Sequence, residues 1–182
     1  MKYVYHGSNI PNLKIIKRNK STHNKNWVYA TCSKAISIIF MSSNGNDLYY
    51  NLSGDGINYP VELVERKQGM FNKIFNISGS IYKLNSKNFK SDMTGWSAEV
   101  VSDQDEKVLG EEHINNVMDE LIKLDKLKKI KLYFYPDRPN YVPLDNSDLI
   151  TKVKNWSKNG YDVNNFFEIY PELKDEYNKK DW

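Results

Sequence analysis

Glycines divide the middle third of the chain into short β-prone segments, and this pattern constrains the fold more than any other feature. Residues 61–64, 70–77 and 80–84 are such segments, and Gly69 and Gly79 lie at the breaks between them. Glycine weakens the interior of a strand and favours a turn, so each break indicates a separate short element. The pattern predicts a β-rich middle with a strand over each of the three segments.

The flanking segments predict further strands and two helices. Strands are expected over residues 1–6, 27–31, 97–101 and 130–135. A helix is expected from Lys34, because Ser33 can cap its first turn and Asn44-Gly45-Asn46 can end it. A second helix is expected over residues 114–127, where apolar side chains recur at helical spacing.

The character of the chain changes after Pro139. Helices are expected over residues 147–157, 166–170 and 173–177. A tail of roughly 40 residues is too small to fold alone, so we expect a domain over residues 1–139 and a helical C-terminal extension over residues 140–182 packed on it. The aromatic residues of the tail are expected to dock on the sheet, with a partner-binding surface as the alternative: Trp156, Phe166, Phe167 and Tyr170.

Composition limits the class of protein. A length of 182 residues with 40% hydrophobic residues suits one domain with its own core. The single cysteine, Cys32, cannot form an internal disulfide, so packing must stabilise the fold in a reducing compartment. The longest mostly apolar run, residues 35–41, is far shorter than the roughly 20 residues of a membrane span. We therefore expect a soluble, cytoplasmic protein without a membrane partner.

Charge is unevenly distributed along the chain. Residues 1–46 contain seven basic and no acidic residues, a net charge of +7, whereas residues 47–118 contain seven basic and eleven acidic residues, a net charge of −4. The basic first quarter favours an anionic ligand such as a nucleotide or nucleic acid. The alternative is that its lysines decorate a solvated loop over residues 17–26.

Most familiar catalytic motifs are absent from the sequence. It has no CxxC pair, HExxH, P-loop or GxSxG motif, and its three histidines are widely separated. No acidic cluster has metal-ligand spacing, so no metal is expected. No basic partner that would activate Cys32 is evident, which favours a small packed residue over a nucleophile.

Three short motifs carry the chemical signal. They occur in order and each lies on or beside an expected strand: Tyr5-His6-Gly7-Ser8, Val28-Tyr29-Ala30-Thr31 followed by Ser33-Lys34-Ala35, and Ser97-Ala98-Glu99-Val100-Val101-Ser102. The set resembles the ADP-ribosyltransferase superfamily, in the His-Tyr-Glu branch that includes the poly(ADP-ribose) polymerases. The resemblance covers roughly residues 1–135 in the order of the elements. It implies an α+β fold with split, mostly antiparallel β-sheets, flanking helices and, here, a small helical C-terminal tail.

The resemblance also implies roles for individual residues. Glu99, His6 and Tyr29 would be catalytic, with Glu99 gripping the 2′-hydroxyl of the nicotinamide ribose, His6 bonding the other ribose and Tyr29 stacking on nicotinamide. Gly7 would let the nicotinamide amide approach the main chain closely. Further contacts to NAD would come from the same three motifs and the following helix: Ser8, Ala30, Ser33 and Phe40.

By the same resemblance the protein is expected to be an NAD-dependent glycosyltransferase that moves ADP-ribose to a protein or nucleic-acid acceptor, in a toxin or phage–host setting. Ser97 stands where arginine-modifying members carry a glutamate, which disfavours arginine as the acceptor. The regulatory regions of polymerising members are missing, which favours transfer of a single ADP-ribose. Two alternatives remain: an inactive module that binds a nucleotide, nucleic acid or protein, and an RNA 2′-phosphotransferase, which would need arginines around its pocket.

Overall fold

The computed structural model describes residues 2–20, 25–43, 48–160 and 162–179. In these ranges the chain forms ten strands in two sheets, together with six α-helices, so the fold is α+β with mostly antiparallel pairing. The strands are β1 (Tyr3–Ser8), β2 (Ile15–Ile16), β3 (Asn19–Lys20), β4 (Asn26–Thr31), β5 (Tyr50–Ser53), β6 (Val61–Glu65), β7 (Gly79–Asn85), β8 (Glu99–Ser102), β9 (Glu106–Ile114) and β10 (Ile130–Tyr133). The helices are α1 (Lys34–Ile39), α2 (Met70–Phe75), α3 (Val117–Lys126), α4 (Asp148–Lys158), α5 (Asn164–Ile169) and α6 (Lys174–Asn178).

The larger sheet holds the three motifs. Its strands lie in the order β2-β9-β7-β1-β4-β3, and β8 pairs with β4 outside that path. All its pairings are antiparallel. The smaller sheet has the order β10-β6-β5, with β10 parallel to β6. None of the helices in the described ranges has the length and apolar character to cross a membrane.

Two hydrophobic clusters stabilise the sheets. The larger cluster unites α1, α2, α3 and the tail helices with both sheets, and its fully buried residues include Ile39, Phe75 and Leu121. The smaller cluster is built on the larger sheet, from β1, β4, β7 and β8, and contains Val4, Val28, Ala30, Tyr82 and Val100 among others. The central strands of the larger sheet therefore have apolar partners on both faces.

One predicted strand is wrong. Residues 70–75 of the segment predicted as a strand over 70–77 form α2, which follows Gly69 at a φ of +81°. Its buried residues are Met70, Phe71, Ile74 and Phe75, a spacing that places them on one side of a helix. The β-prone residue types suggested a strand, whereas the apolar residues recur at the spacing of one face of a helix. The spacing, and not the residue types, indicates the correct element.

The other principal elements are confirmed with shifted ends. Strands occur where residues 1–6, 27–31, 61–64, 80–84, 97–101 and 130–135 predicted them. The Oγ of Ser33 accepts from the Ile36 backbone N–H, so the predicted cap of α1 is confirmed. The predicted end of that helix at Asn44-Gly45-Asn46 lies outside the described residues.

The tail packs on the main cluster, as its aromatic content predicts. Phe166 and Tyr170 are fully buried, and Trp156 and Phe167 pack partly buried against the same cluster. An ion pair adds to this contact, because the buried Arg66 donates to both carboxylate oxygens of the partly exposed Asp148 at 3.0 and 2.8 Å. The start of α4 is therefore bonded directly to the end of β6.

Candidate active site

A cleft opens where the pairing of β1 with β4 stops. The two strands pair at a single position, Tyr5 with Thr31, whereas β1 and β7 pair over six positions. The cleft has a volume of about 290 Å³. It is lined by residues of five segments: Tyr5, His6, Gly7, Ser8, Asn9, Asn19, Tyr29, Ala30, Phe40 and Glu99. The three residues expected to be catalytic therefore lie in the same cleft, although 93 positions separate the first from the last in the chain.

His6 joins the two strands beyond the point where their pairing stops. Its Nδ1 lies 2.7 Å from the main-chain oxygen of Tyr29, and since a carbonyl oxygen only accepts, Nδ1 carries the proton. Burial lowers the pKa of His6, and this outweighs the hydrogen bond to Tyr29, which raises it. A neutral ring with Nδ1 protonated leaves Nε2 as an acceptor. His6 can therefore accept from a hydroxyl group of a ligand.

Gly7 is required by the packing of α1, a reason for glycine that the sequence does not show. A Cβ at this position would lie 1.8 Å from the main-chain oxygen of Ser37 and 3.3 Å from Cγ of Met41. The space beside its Cα is thus filled by α1 and is not left open for a ligand. Gly7 still lines the cleft, and because it has no side chain it does so with its main chain.

Aromatic rings line the cleft from two directions. Tyr29 is half-buried and meets Trp27 edge to face, with ring centres 6.2 Å apart. Phe40, just after α1, is 38% exposed and meets Trp96 edge to face at 5.9 Å. Phe40 and Tyr29 both line the cleft.

Glu99 begins β8 directly opposite Thr31. Its backbone N–H donates to the Trp96 carbonyl at 3.0 Å, closing a turn just before the strand. That turn is anchored to the loop after β5, because Trp96 donates to the Gly54 carbonyl at 2.7 Å and Ser97 donates to Asp55 at 3.1 Å. The carboxylate of Glu99 is half-buried. Its place in the cleft is therefore set by main-chain pairing on one side and this anchored turn on the other.

The two predicted serines differ in position. Ser8 lines the cleft, and its Oγ accepts from the Ile10 backbone N–H at 3.1 Å. Ser33 is not among the lining residues, and its Oγ accepts from the first turn of α1. The prediction that Ser33 contacts the ligand is therefore not supported by its position, because the cap places it at the strand-to-helix corner.

Sequence reasoning missed one wall of the cleft, the segment over residues 9–20, which contributes Asn9 and Asn19. Tyr82 holds the base of this segment: its hydroxyl donates to the Ile10 carbonyl at 2.6 Å and accepts from the Leu13 N–H at 3.2 Å. The sequence signal in this segment was its lack of acidic residues, which suggests an anionic ligand. That signal does not indicate which residues of the segment line the cleft.

The far end of the same segment is fixed by Arg18. Its main-chain N–H and its Nε both donate to one oxygen of Asp105, at 3.0 and 3.1 Å, and its guanidinium also donates to the Asp103 carbonyl. These bonds lower the pKa of Asp105. The pair is nearly half exposed, so it adds little stability by itself. Its effect is to orient Asn19, the next residue, at the cleft.

The remaining candidate chemistry lies elsewhere. None of the three arginines lines the cleft, since Arg18 pairs with Asp105 and Arg66 and Arg138 are committed to the contact with the tail. Cys32 is half-buried beside the smaller cluster. Within the described ranges, no group of three or more His, Cys, Asp or Glu side chains is arranged to hold a metal ion.

Comparison with known proteins adds no relative. The chain matches no protein-family model, no curated protein and no solved structure. The functional argument therefore depends on the cleft and the residues that line it.

Proposed function

We propose that the protein is a mono-ADP-ribosyltransferase that binds NAD in this cleft and transfers ADP-ribose to a macromolecular acceptor. The observation that carries the proposal is the convergence of His6, Tyr29 and Glu99, which the motif order singles out and which lie far apart in the chain. Gly7 and Ala30 of the same motifs line the same cleft. A common role in one site explains this arrangement better than chance does.

The donor set fits the nicotinamide riboside part of NAD. A volume of about 290 Å³ lies near the lower limit for ligand pockets, so the cleft would enclose a nucleoside and not the whole dinucleotide. Tyr29 and Phe40 offer rings for a flat heteroaromatic base. The Nε2 of His6 can accept from a ribose hydroxyl, and main-chain groups at Gly7 can bond a carboxamide.

Glu99 is assigned the central chemical role. When NAD is bound, it supplies an activated glycosidic bond whose leaving group is nicotinamide. In the transfer, the bond from the anomeric carbon to nicotinamide breaks with its electron pair on nicotinamide, the acceptor's nucleophile bonds to that carbon, and the nucleophile's proton is released. A carboxylate beside the ribose stabilises the positive charge that develops there.

The test compares the wild type with Glu99→Gln, which keeps the size of the side chain and removes its charge. Each protein is incubated with labelled NAD and cell extract, and nicotinamide release and label on macromolecules are measured. We expect a loss of about 10²–10³-fold in the variant. Glu168→Gln, an exposed glutamate on α5, is the matched control and should behave as the wild type.

The same assay distinguishes the alternative of an inactive binding module. Calorimetric titration of NAD into the wild type and Glu99→Gln measures binding separately from turnover. Binding by both without nicotinamide release from either would favour the module, and equal release by both would refute the role of Glu99. The alternative is motivated by the basic first quarter, although none of its lysines or its arginine lines the cleft.

A further inference from the structure

A second concavity lies beside the β5–β6 hairpin, outside the cleft. It has a volume of about 390 Å³ and is lined by Ser53, Gly54, Tyr59, Pro60, Glu62 and Tyr141, which we call the tyrosine groove. Two of its rings are unusually open to solvent for tyrosine, with Tyr59 71% and Tyr141 55% exposed. Neither is needed to fill the core, so their role lies at the surface.

Glu62 is the charged group of the tyrosine groove. One of its oxygens accepts from the hydroxyl of Tyr133 at 3.3 Å and the other from the hydroxyl of Tyr141. Burial and the hydrogen bond to Glu62 raise the pKa of Tyr141 to about 12, so this hydroxyl stays protonated and donating. Each carboxylate oxygen has a second lone pair, so Glu62 can still accept from a ligand.

No basic side chain in the described part of the chain forms a salt bridge with Glu62. The basic residue opposite it in the sheet, Lys131, instead places its ammonium 5.5 Å from the ring centre of Tyr133. A half-buried carboxylate surrounded by rings and without a paired cation favours a positively charged ligand.

The charge of the hairpin supports the same sign of ligand. The β5–β6 hairpin carries two acidic residues that are not buried, Asp55 and Glu62, and residues 50–65 contain no basic residue, in contrast with the basic first quarter. Such a surface repels the phosphates of nucleic acid and attracts a basic protein segment. The ligand that fits is therefore a cationic side chain of a protein.

The tyrosine groove adjoins the candidate active site through one residue. Trp96 donates from its indole N–H to the carbonyl of Gly54 in the groove, and its ring contacts Phe40 in the cleft. A polypeptide that crosses Trp96 would therefore contact the groove and the cleft together.

We propose that the tyrosine groove docks an arginine side chain of the acceptor protein, next to the residue that is modified. Arginine fits better than lysine because its planar guanidinium stacks on tyrosine rings and pairs with a carboxylate through two N–H groups. The docked arginine is a recognition element and is not itself modified. The identity of the partner as an acceptor rests on the proposed function, whereas the binding of the cation does not.

The test measures binding of a fluorescein-labelled peptide of alternating glycine and arginine by anisotropy, with the matching citrulline peptide as the neutral probe. We expect the arginine peptide to bind and the citrulline peptide to bind at least about tenfold more weakly. Glu62→Gln should weaken the arginine peptide by about tenfold. Glu176→Gln, an exposed glutamate on α6, is the matched control and should leave binding unchanged.

A second variant guards against a misfolded Glu62→Gln protein. Tyr141→Phe keeps the ring and removes only the hydroxyl, and it should retain binding within about threefold because stacking persists. Equal affinity for the arginine and citrulline peptides, or equal effects of Glu62→Gln and Glu176→Gln, would overturn the proposal.

Its failure can be told apart from failure of the proposed function. Nicotinamide release that depends on Glu99, together with no selectivity for the arginine peptide, removes only the docking site. Selective binding of the peptide without any nicotinamide release keeps the docking site and removes the transferase.

Discussion

Replacement of Gly7 by alanine should destabilise the protein strongly. Among the described glycines without a positive φ, we expect this position to tolerate a methyl group least. The new Cβ would lie 1.8 Å from the Ser37 oxygen, whereas real Cβ contacts essentially never fall below 3.0 Å. The obstacle is the main chain of α1, which cannot turn away as a side chain can. Either α1 must move away from β1 by more than 1 Å or β1 must lose its register with β7.

The cost can be set from the behaviour of overpacked cores, where an extra methylene typically costs about 1–3 kcal/mol. Because the contact at Gly7 is with backbone and very short, we expect the upper end, about 3 kcal/mol. With a urea m-value of about 2 kcal/mol/M, the midpoint of urea unfolding should fall by about 1.5 M.

Two other glycines provide a graded control. A Cβ at Gly79 would meet the side chain of Met41, with the sulfur at 2.8 Å, and a flexible methionine can move, so a cost of about 1 kcal/mol is expected. A Cβ at Gly110 would meet nothing within 4 Å, so Gly110→Ala should be neutral or slightly stabilising. Equal unfolding midpoints for Gly7→Ala and Gly110→Ala, measured by circular dichroism, would refute the packing of α1 on β1.

Two further predictions concern the cleft and the tail. Burial lowers the pKa of His6 below its ordinary 6.5, so below that pH the unfolded chain binds more protons than the folded protein, and stability falls as the pH falls. His6→Asn keeps an N–H for the Tyr29 carbonyl but does not titrate. We therefore expect the free energy of unfolding, measured with urea at pH 7, 6 and 5, to depend on pH less steeply in the variant, by up to about 1.4 kcal/mol per pH unit. An equally steep dependence in both proteins would contradict the lowered pKa of His6. Asp148→Asn leaves the buried guanidinium of Arg66 without its carboxylate, so the free energy of unfolding should fall by about 3 kcal/mol in the same assay. A decrease below about 0.5 kcal/mol would mean that the ion pair does not hold the tail.

Local signals predicted elements that carry the candidate site. The helix cap at Ser33 and the short strand before it depend on neighbouring residues, and both are confirmed. The expectation that His6, Tyr29 and Glu99 lie together came from the resemblance of the three motifs to a known family and not from a local signal. What local signals do not specify is packing between elements, which explains why the contact of α1 with Gly7 could not be predicted.

Strand β9 shows why other parts of the fold could not be predicted. It runs over Glu106–Ile114, yet most of its side chains are exposed or half-buried. Its stability comes from main-chain pairing with β7 and β2, which leaves no alternation of apolar and polar residues in the sequence. The same holds for the contact of Arg66 with Asp148, because a pairing across 82 positions has no local signature.

The single rung between β1 and β4 has a mechanical consequence. Two strands joined at one point can pivot about it, whereas strands joined along their length resist separation. Opening at the Ser8 end would stretch the imidazole bridge to the Tyr29 carbonyl before it disturbed the six pairs between β1 and β7. The sheet thus contains a seam that the His6 imidazole bridges, and widening the seam would require this hydrogen bond to lengthen or break.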